Sequence, residues 1–200
     1  MTARERSGRR PGTTDTRNQI LSAARKEFAQ AGYDAATVRA VAASAGVDAA
    51  LVHYYFGTKE KLFLAVMEAP LDLGHLVDLI LDGPRDRLAE RLLRTALELW
   101  DSPAGSAAMA VLRGAMAHDG SATLLREFLL KRALQPLTES VERDTELALW
   151  RASLVATQLM GLASMRYLLA LEPLASASHT RIVDLIAPNV QRYLTGELSG

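Results

Sequence analysis

Residues 37–59 read TVRAVAASAGVDAALVHYYFGTK and predict two short helices joined by a tight turn. Thr37 has the side chain of a helix N-cap, and apolar residues recur after it at helical spacing. Gly46 fits the position after this helix, where a residue without a Cβ atom adopts left-handed backbone geometry at little cost. Asp48 can cap the second helix, whose core-facing residues would be Leu51, Val52 and Tyr55.

A helix, a glycine-containing turn and a second short helix form the helix-turn-helix pattern, in which the second helix enters the DNA major groove. Ala49 and Ala50 would let the backbone approach the bases closely, and an alanine methyl packs against a thymine methyl. Polar side chains beside them would contact phosphates, which fixes the register on the duplex without reading its sequence. The predicted DNA-binding residues are Thr37, Arg39, Asp48, Ala49, Ala50, Leu51, His53, Tyr54 and Lys59.

The region from Asp15 to Met67 resembles the DNA-binding domain of the tetracycline-repressor (TetR) family of bacterial transcription regulators. The resemblance covers ILSAARKEFAQAGYDAATVRAVAASAGV (Ile20–Val47) and LVHYYFGTKEKLFLAV (Leu51–Val66). It implies an all-α fold, with an N-terminal three-helix helix-turn-helix DNA-binding domain and a C-terminal helical bundle for ligand binding and dimerisation. The chain departs from the family at His53, where the family usually has Tyr, and at Tyr55, where it usually has His. The first departure concerns a phosphate contact and the second concerns packing.

The composition is that of an ordinary globular protein, since 49% of its 200 residues are apolar and 23% are charged. No apolar run has the length of a membrane span, and the N-terminus lacks the apolar stretch of a secretory signal. We therefore expect a cytoplasmic protein with no membrane partner. The absence of cysteine excludes disulfides, thiol redox sensing and thiolate metal sites.

Charge is distributed unevenly along the chain. Residues 1–61 contain ten Lys and Arg against six Asp and Glu, whereas residues 62–200 contain 13 against 17. A cationic end favours DNA, because binding releases counter-ions from the duplex, but charge runs are also common on solvated surfaces. Residues 1–13 combine four arginines with glycine and proline, which predicts a flexible basic arm. Such an arm could order on DNA or serve only as a solubilising tail.

We divide the chain into the arm at residues 1–13, a DNA-binding domain at 14–67 and a C-terminal ligand-binding and dimerisation domain at 68–200. The first helix should begin near Thr14, run to Ala31 and end at Gly32. A fourth helix should begin at Thr58. In the C-terminal domain, helical periodicity and turn residues predict helices at about 71–81, 85–101, 102–118, 121–142, 145–171 and 178–194.

The last two helices are the predicted dimer surface. Small residues on the first of them would let another helix approach closely, and the second has a broad apolar face. The family resemblance implies the same arrangement, a four-helix bundle built from two helices of each chain. The predicted interface residues are Ala152, Ala156, Ser164, Ile182, Ile186 and Val190.

Methionine and aromatic side chains of the C-terminal domain are typical either of ordinary core or of the lining of a ligand cavity. The resemblance implies a cavity, and we expect it to take a small apolar or amphipathic effector. The predicted ligand-binding residues are Trp100, Met109, Arg113, Met116, Phe128 and Trp150.

Enzyme chemistry is not indicated, because no nucleophile-elbow, zinc-protease, dinucleotide or phosphate-loop motif occurs. The histidines are widely separated, so neither a metal site nor a cofactor is expected. The sequence predicts a ligand-responsive homodimer that binds a palindromic operator in double-stranded DNA, as a repressor rather than an activator. Two alternatives stay open: an activator of the same family, and a small-molecule-binding helical module whose DNA binding is vestigial.

Overall fold

The computed structural model describes residues 12–68, 73–102, 105, 108–109, 112–114, 116 and 119–198. All regular elements within these residues are helices, which confirms the predicted all-α fold. None of the helices in this part of the chain is long and apolar enough to cross a membrane. Residues 1–11 of the predicted arm lie outside the described residues, and residues 12 and 13 already belong to the first helix.

The N-terminal part contains four helices: α1 (Gly12–Ala35), α2 (Val38–Ala45), α3 (Ala49–Phe56) and α4 (Lys59–Glu68). α1 is interrupted at Gly32, where a φ of 75° and a ψ of 171° take the backbone out of helical geometry. The sequence predicted a helix end at this residue. Gly46 has a φ of 67° and donates its backbone N–H to the last turn of α2, as expected for the tight turn.

The four helices enclose one hydrophobic cluster, which we call the N-terminal core. An aromatic group lies at its centre, in which the Phe63 ring is 5.1 Å from the Phe28 ring and 5.2 Å from the Tyr33 ring between centroids. Two residues from later in the chain, Leu124 and Phe128, complete this core. Phe128 was predicted to line the ligand cavity, which stays a prediction, and its side chain is 5% exposed in this core.

The remainder of the chain forms a second helical body. Its helices are α5 (Leu73–Leu81), α6 (Leu88–Asp101), α7 (Asp119–Glu127), α8 (Gln135–Glu139), α9 (Thr145–Ala163) and α10 (His179–Thr195). A π-helical segment, Phe128–Leu134, joins α7 to α8, and a second one, Ser164–Leu168, extends α9. Of the helix predicted at 102–118, the structure describes only scattered residues, and those from 105 to 116 are helical.

α6, α9 and α10 pack around a second hydrophobic cluster, which we call the body core. A buried arginine, Arg151 of α9, fixes the end of α10. Its Nη1 and Nη2 donate to the carbonyl oxygens of Tyr193 and Gly196 at 2.9 and 3.0 Å, and its Nε pairs with a carboxylate oxygen of Glu142 at 3.3 Å. The guanidinium therefore satisfies carbonyl groups that the end of a helix leaves without partners.

Several residues that were predicted to form the dimer interface belong to the body core. Ala152, Ile182 and Val190 are completely or almost completely buried within the single chain, and Ser164 is buried as well. Little of their surface is therefore left to contact a second chain, and their part in an interface stays a prediction. Apolar residues recur at the same helical spacing whether they face a second chain or the chain's own core, so periodicity does not separate the two. Ala156 and Ile186 are half-buried against the body core.

Candidate nucleic-acid interface

Two side chains predicted to bind DNA act as helix caps. Thr37 Oγ1 accepts a hydrogen bond from the Ala40 N–H at 3.0 Å, and Asp48 Oδ1 accepts one from the Ala50 N–H at 2.7 Å. Both Thr37 and Asp48 are exposed, so each marks a helix N-terminus that faces solvent. Free N–H groups at such an end attract anions, which includes phosphate. The caps thus orient α2 and α3 and leave their N-termini open to a ligand.

α3 has one buried side and one solvent-facing side. Val52 and Phe56 are buried in the N-terminal core, whereas Ala50, His53 and Tyr54 are exposed. The Tyr54 side chain is 81% exposed, which is unusual for a large aromatic residue. Among the other predicted DNA-binding residues, Arg39 is exposed on α2, and Ala49 and Leu51 are half-buried on α3. The structure therefore brings the predicted residues onto one exposed helix and its flanks.

His53 is held in one orientation by the turn that follows α3. Its Nδ1 lies 2.7 Å from the Gly57 carbonyl oxygen. A carbonyl oxygen only accepts hydrogen bonds, so Nδ1 carries the hydrogen and Nε2 of the neutral ring is an acceptor. In this state Nε2 can accept a hydrogen bond from the amino group of a base. It can donate a hydrogen bond to a phosphate only when the ring is protonated.

Lys59, which was predicted to contact phosphate, also has a structural role. Its Nζ donates to the Asp34 carbonyl oxygen at 3.1 Å and lies 4.4 Å from the centroid of the Tyr33 ring. The Tyr33 hydroxyl in turn donates to Glu60 Oε1 at 2.8 Å. The side chains of the first two residues of α4 therefore bind to the end of α1. The ammonium group has three donors, so the contact to Asp34 leaves donors for a phosphate.

The charge states of this contact are well defined. A hydrogen bond from Thr58, another from the backbone and a third from Tyr33 lower the pKa of Glu60, against a smaller opposing effect of burial. Burial and the neighbouring Glu60 carboxylate raise the pKa of Tyr33. Glu60 is therefore ionised and Tyr33 is a neutral donor at physiological pH.

Sequence reasoning missed one cation beside this surface. The Arg17 guanidinium lies 5.2 Å from the centroid of the Phe56 ring, next to the end of α3, and the residue is exposed. Nothing in its local sequence distinguishes Arg17 from other exposed arginines, and only the fold brings its guanidinium near the Phe56 ring.

A third hydrophobic cluster lies in the body, and we call it the tryptophan cluster. Its buried members are Met109, Leu112 and Ala163, and Trp100, Met160 and Tyr167 pack against them. The rings of Trp100 and Tyr167 meet edge to face, with 5.9 Å between centroids. Of the six predicted ligand-binding residues, Trp100 and Met109 belong to this cluster.

Three other predicted ligand-binding residues are exposed on the single chain, so their part in ligand binding stays a prediction. Met116 and Trp150 are each 61% exposed, and Arg113 is exposed as well. Residue type indicated a cavity lining, but the direction of each side chain depends on helix packing that periodicity does not specify.

A polar group borders the tryptophan cluster. His179 Nε2 lies 2.6 Å from Asp101 Oδ2, which joins the start of α10 to the end of α6. Burial acts to raise the pKa of Asp101, but the neighbouring Tyr167 and His179 outweigh it and the net shift is downward. Burial and the Asp101 carboxylate raise the pKa of Tyr167 to about 12. The cluster thus has an apolar interior and a charged edge, an arrangement suited to an amphipathic ligand.

Exposed apolar side chains follow α9 and α10 on faces other than those predicted. Leu149, Trp150 and Met165 lie along α9 and its extension, and Leu185 on α10 is 59% exposed. Large apolar side chains that are exposed beside one another commonly mark a protein interface, and Leu149 and Trp150 are neighbours in the chain.

Two family models match the chain. Residues 20–66 match the model described as "Bacterial regulatory proteins, tetR family", and residues 86–194 match "Tetracyclin repressor-like, C-terminal domain". The second match alone spans more than half of the chain. Together the matches include α3 with its flanks, as well as most of the body.

Curated relatives match over a shorter region. The HTH-type transcriptional repressor AcnR of Corynebacterium efficiens is 44% identical over 52 residues, which are 26% of this chain and 28% of AcnR. The HTH-type transcriptional repressor NicS of Pseudomonas putida is 40% identical over 53 residues, which are 26% of this chain and 25% of NicS. The chain therefore matches about a quarter of the length of these two relatives.

A solved structure is similar over nearly the whole length. It is a TetR-family regulator from Streptomyces coelicolor A3, 41% identical, and the match covers 94% of this chain and 99% of that one with a TM-score of 0.74. The similarity therefore extends through both the N-terminal helices and the body.

Proposed function

Because this chain belongs to the TetR family of bacterial transcription regulators, we propose that it is a ligand-responsive repressor that binds a palindromic operator as a homodimer. Members of this family are DNA-binding transcription regulators and not enzymes, and this holds for the chain. The two named repressors among its relatives support repression over activation. Such a protein acts in the cytoplasm, where operator DNA is accessible. We keep the division into residues 14–67 for DNA binding and 68–200 for ligand binding and dimerisation.

The observation that carries the proposal is the solvent-facing side of α3. Ala50 presents a methyl group near the helix N-terminus, and His53 and Tyr54 lie one turn further along. A small residue at this position lets the helix sit deep in the major groove and read base edges. The longer polar side chains then reach the backbone on either side. We retain as DNA contacts Thr37, Arg39, Asp48, Ala49, Ala50, Leu51, His53, Tyr54 and Lys59, and we add Arg17.

For the dimer, we propose that the exposed faces of α9 and α10 pack against the same faces of a second chain. Leu149, Trp150 and Leu185 would then lose their contact with water, which is the main source of association energy. A two-fold axis through this interface presents two copies of α3 to half-sites about one helical turn, or roughly 34 Å, apart. The operator would therefore be a palindrome.

For the effector, we propose an apolar or amphipathic molecule that binds at the tryptophan cluster. Trp100, Met109 and Tyr167 supply apolar contacts, and Asp101 with His179 offers a polar end. α4 links the N-terminal core to the body and would act as a lever. A ligand releases DNA only if it binds the released arrangement more tightly than the DNA-bound one.

Selection of bound duplexes from a random pool, with the purified chain, tests the DNA-binding part of the proposal. The expected product is a palindrome. The Ala50→Arg variant should select a different sequence, because the new side chain reaches base edges. Thr180→Arg is the matched control: it adds the same charge at an exposed position of α10 and should select the wild-type palindrome.

Failure to enrich any sequence would overturn the proposal and would favour a small-molecule-binding module with vestigial DNA binding. Once a site is found, a reporter gene placed behind it separates repression from activation. Expression should rise when the regulator is deleted, and a fall would identify an activator.

A further inference from the structure

The helix α7 and its π-helical continuation contact all three hydrophobic clusters. Leu124 and Phe128 are buried in the N-terminal core, whereas Leu134 is buried in the body core. Between them, Leu125 packs against both the N-terminal core and the tryptophan cluster. A single continuous segment of backbone therefore joins the proposed effector site to the DNA-binding helices.

The start of α7 also lies directly on the junction between α1 and α4. A Cβ atom built on Gly120 would be 2.5 Å from Asp34 Oδ1 and 3.2 Å from Tyr33 Cδ1, closer than side chains normally approach. Tyr33 and Asp34 are the residues that hold Lys59 and Glu60 at the first turn of α4. A movement of α7 would therefore press on the groups that set the position of α4.

We propose that α7 transmits the state of the tryptophan cluster to the DNA-binding helices, with Leu125 as the coupling residue and Gly120 as the point of contact. The proposal rests on the ligand-responsive function proposed above and adds a route that does not pass along α4. Close-packed interiors are stiff, so a displacement of Leu125 on one side of the helix displaces Leu124 and Phe128 on the other. The π-helical turn after α7 is a site where a helix can change its winding.

Reciprocity provides a test that needs no effector: if the two sites are coupled, DNA binding must change the tryptophan cluster. The chain has two tryptophans, so a Trp150→Phe variant leaves Trp100 as the only one. Trp150 lies in the proposed dimer interface, so light scattering first checks that this variant, which keeps an aromatic ring there, has the mass of the wild-type protein. Titration of this variant with the selected operator duplex should change the Trp100 emission, with the same midpoint as DNA binding followed by anisotropy of a labelled duplex.

Two leucines of the same segment provide a matched pair. Leu125→Ala removes the side chain that packs against both clusters, whereas Leu129→Ala removes an equal side chain that packs against the N-terminal core. In the Trp150→Phe background, Leu125→Ala should reduce the DNA-induced change to less than about half of that seen with Leu129→Ala. Thermal unfolding of both variants checks that each is folded.

A second measurement requires no DNA. Gly120→Ala places a Cβ atom 3.2 Å from Cδ1 of the buried Tyr33 ring, so α7 should move away from that ring and the Trp100 emission of the free protein should shift. The shift should disappear when Leu125→Ala is added. If DNA fails to bind, the proposed function fails, and this measurement still decides the coupling. An equal DNA response in the two leucine variants, or a Trp100 emission that Gly120→Ala leaves unchanged, would overturn the role of α7.

Discussion

The Tyr33 hydroxyl donates a 2.8 Å hydrogen bond to Glu60 Oε1, and this bond joins the end of α1 to the first turn of α4. It is part of a contact in which Lys59 also takes part, with its Nζ over the Tyr33 ring and bonded to the Asp34 carbonyl oxygen. An aromatic ring, a cation and a carboxylate thus fix the angle at which α4 leaves the DNA-binding helices. Gly120 of α7 lies close to the same tyrosine, since a Cβ atom added to it would be 3.2 Å from Tyr33 Cδ1.

Tyr33→Phe should lower the free energy of unfolding by about 1 kcal/mol at pH 7, because it removes one hydrogen bond and leaves the ring packing in place. The pKa of Glu60 is lowered in the folded state from its usual 4.5. The stabilisation is therefore complete above about pH 4.5 and is lost as the pH falls through the folded pKa. Urea unfolding of both proteins at pH 7 and at a series of lower pH values measures the difference.

Tyr54→Phe is the control for this change, because Tyr54 is exposed on α3 and its hydroxyl should not affect unfolding. A Tyr33→Phe penalty that does not decrease at any pH of the series would show that the hydroxyl stabilises the fold through a partner other than the Glu60 carboxylate.

Arg39→Ala should weaken DNA binding by a similar factor on every duplex, since a phosphate contact carries no sequence information. It should also flatten the dependence of log K on log salt by about one unit, because one fewer counter-ion is released. Anisotropy titrations at several salt concentrations measure both effects. Arg143→Ala, an exposed arginine of the body, should leave the slope unchanged.

Lys59→Ala should flatten the salt dependence by the same amount, again by about one unit. It should in addition reduce stability, since Nζ is bonded to the Asp34 carbonyl oxygen and lies over the Tyr33 ring. Arg39→Ala should not reduce stability. A Lys59→Ala variant with lower stability and an unchanged salt slope would restrict Lys59 to its structural role.

The local features of the DNA-binding region were predictable from sequence because each depends on a few neighbouring residues. A glycine interrupts α1 at Gly32, and another turns the chain after α2 at Gly46. Asp48 accepts a hydrogen bond from the Ala50 N–H at the start of α3. Caps and glycine stops depend on local backbone geometry, which the residue type largely sets.

The partners of buried residues were not predictable in the same way. Periodicity correctly indicates that Ala152 and Val190 are buried, but it does not tell whether the covering surface belongs to the same chain. Phe128 was predicted to line a ligand cavity because of its type, and nothing in the sequence indicated that it would join Phe63 in the N-terminal core, more than sixty residues away along the chain. Contacts of such long range depend on the packing of whole helices.

Leu185→Asp should convert the dimer into a folded monomer, since Leu185 is exposed on α10 and would place an unpaired charge in the proposed interface. Ile182→Asp should instead unfold the chain, because that side chain is 1% exposed within the body core. Light scattering gives the mass and circular dichroism the fold. A wild-type mass near the 21.7 kDa of one chain would contradict the proposed dimer.

Arg151→Met should destabilise the chain by more than about 2 kcal/mol, although it preserves most of the side-chain volume. The change removes the guanidinium that donates hydrogen bonds to the carbonyl oxygens of Tyr193 and Gly196. It also removes the ion-pair partner of Glu142. Urea unfolding measures the loss, with the exposed Arg143→Met as control. Equal stability of the two variants would mean that water replaces the guanidinium without cost.

An effector that binds at the tryptophan cluster should both change the Trp100 emission and weaken operator binding. Trp100 packs edge to face on Tyr167 beside Met109, so a ligand entering there alters the surroundings of the indole ring. A coupling free energy of about 3 kcal/mol would weaken DNA binding by roughly 150-fold, and DNA would weaken effector binding by the same factor.

Candidate molecules can be found by their effect on thermal stability, and each can then be titrated with and without operator DNA. Trp100→Phe should keep DNA binding and lose the fluorescence signal. A molecule that saturates the tryptophan cluster yet leaves operator affinity unchanged would show that the body binds ligand without signalling. A ligand with equal affinity for the DNA-bound and the released arrangement does not shift the equilibrium between them.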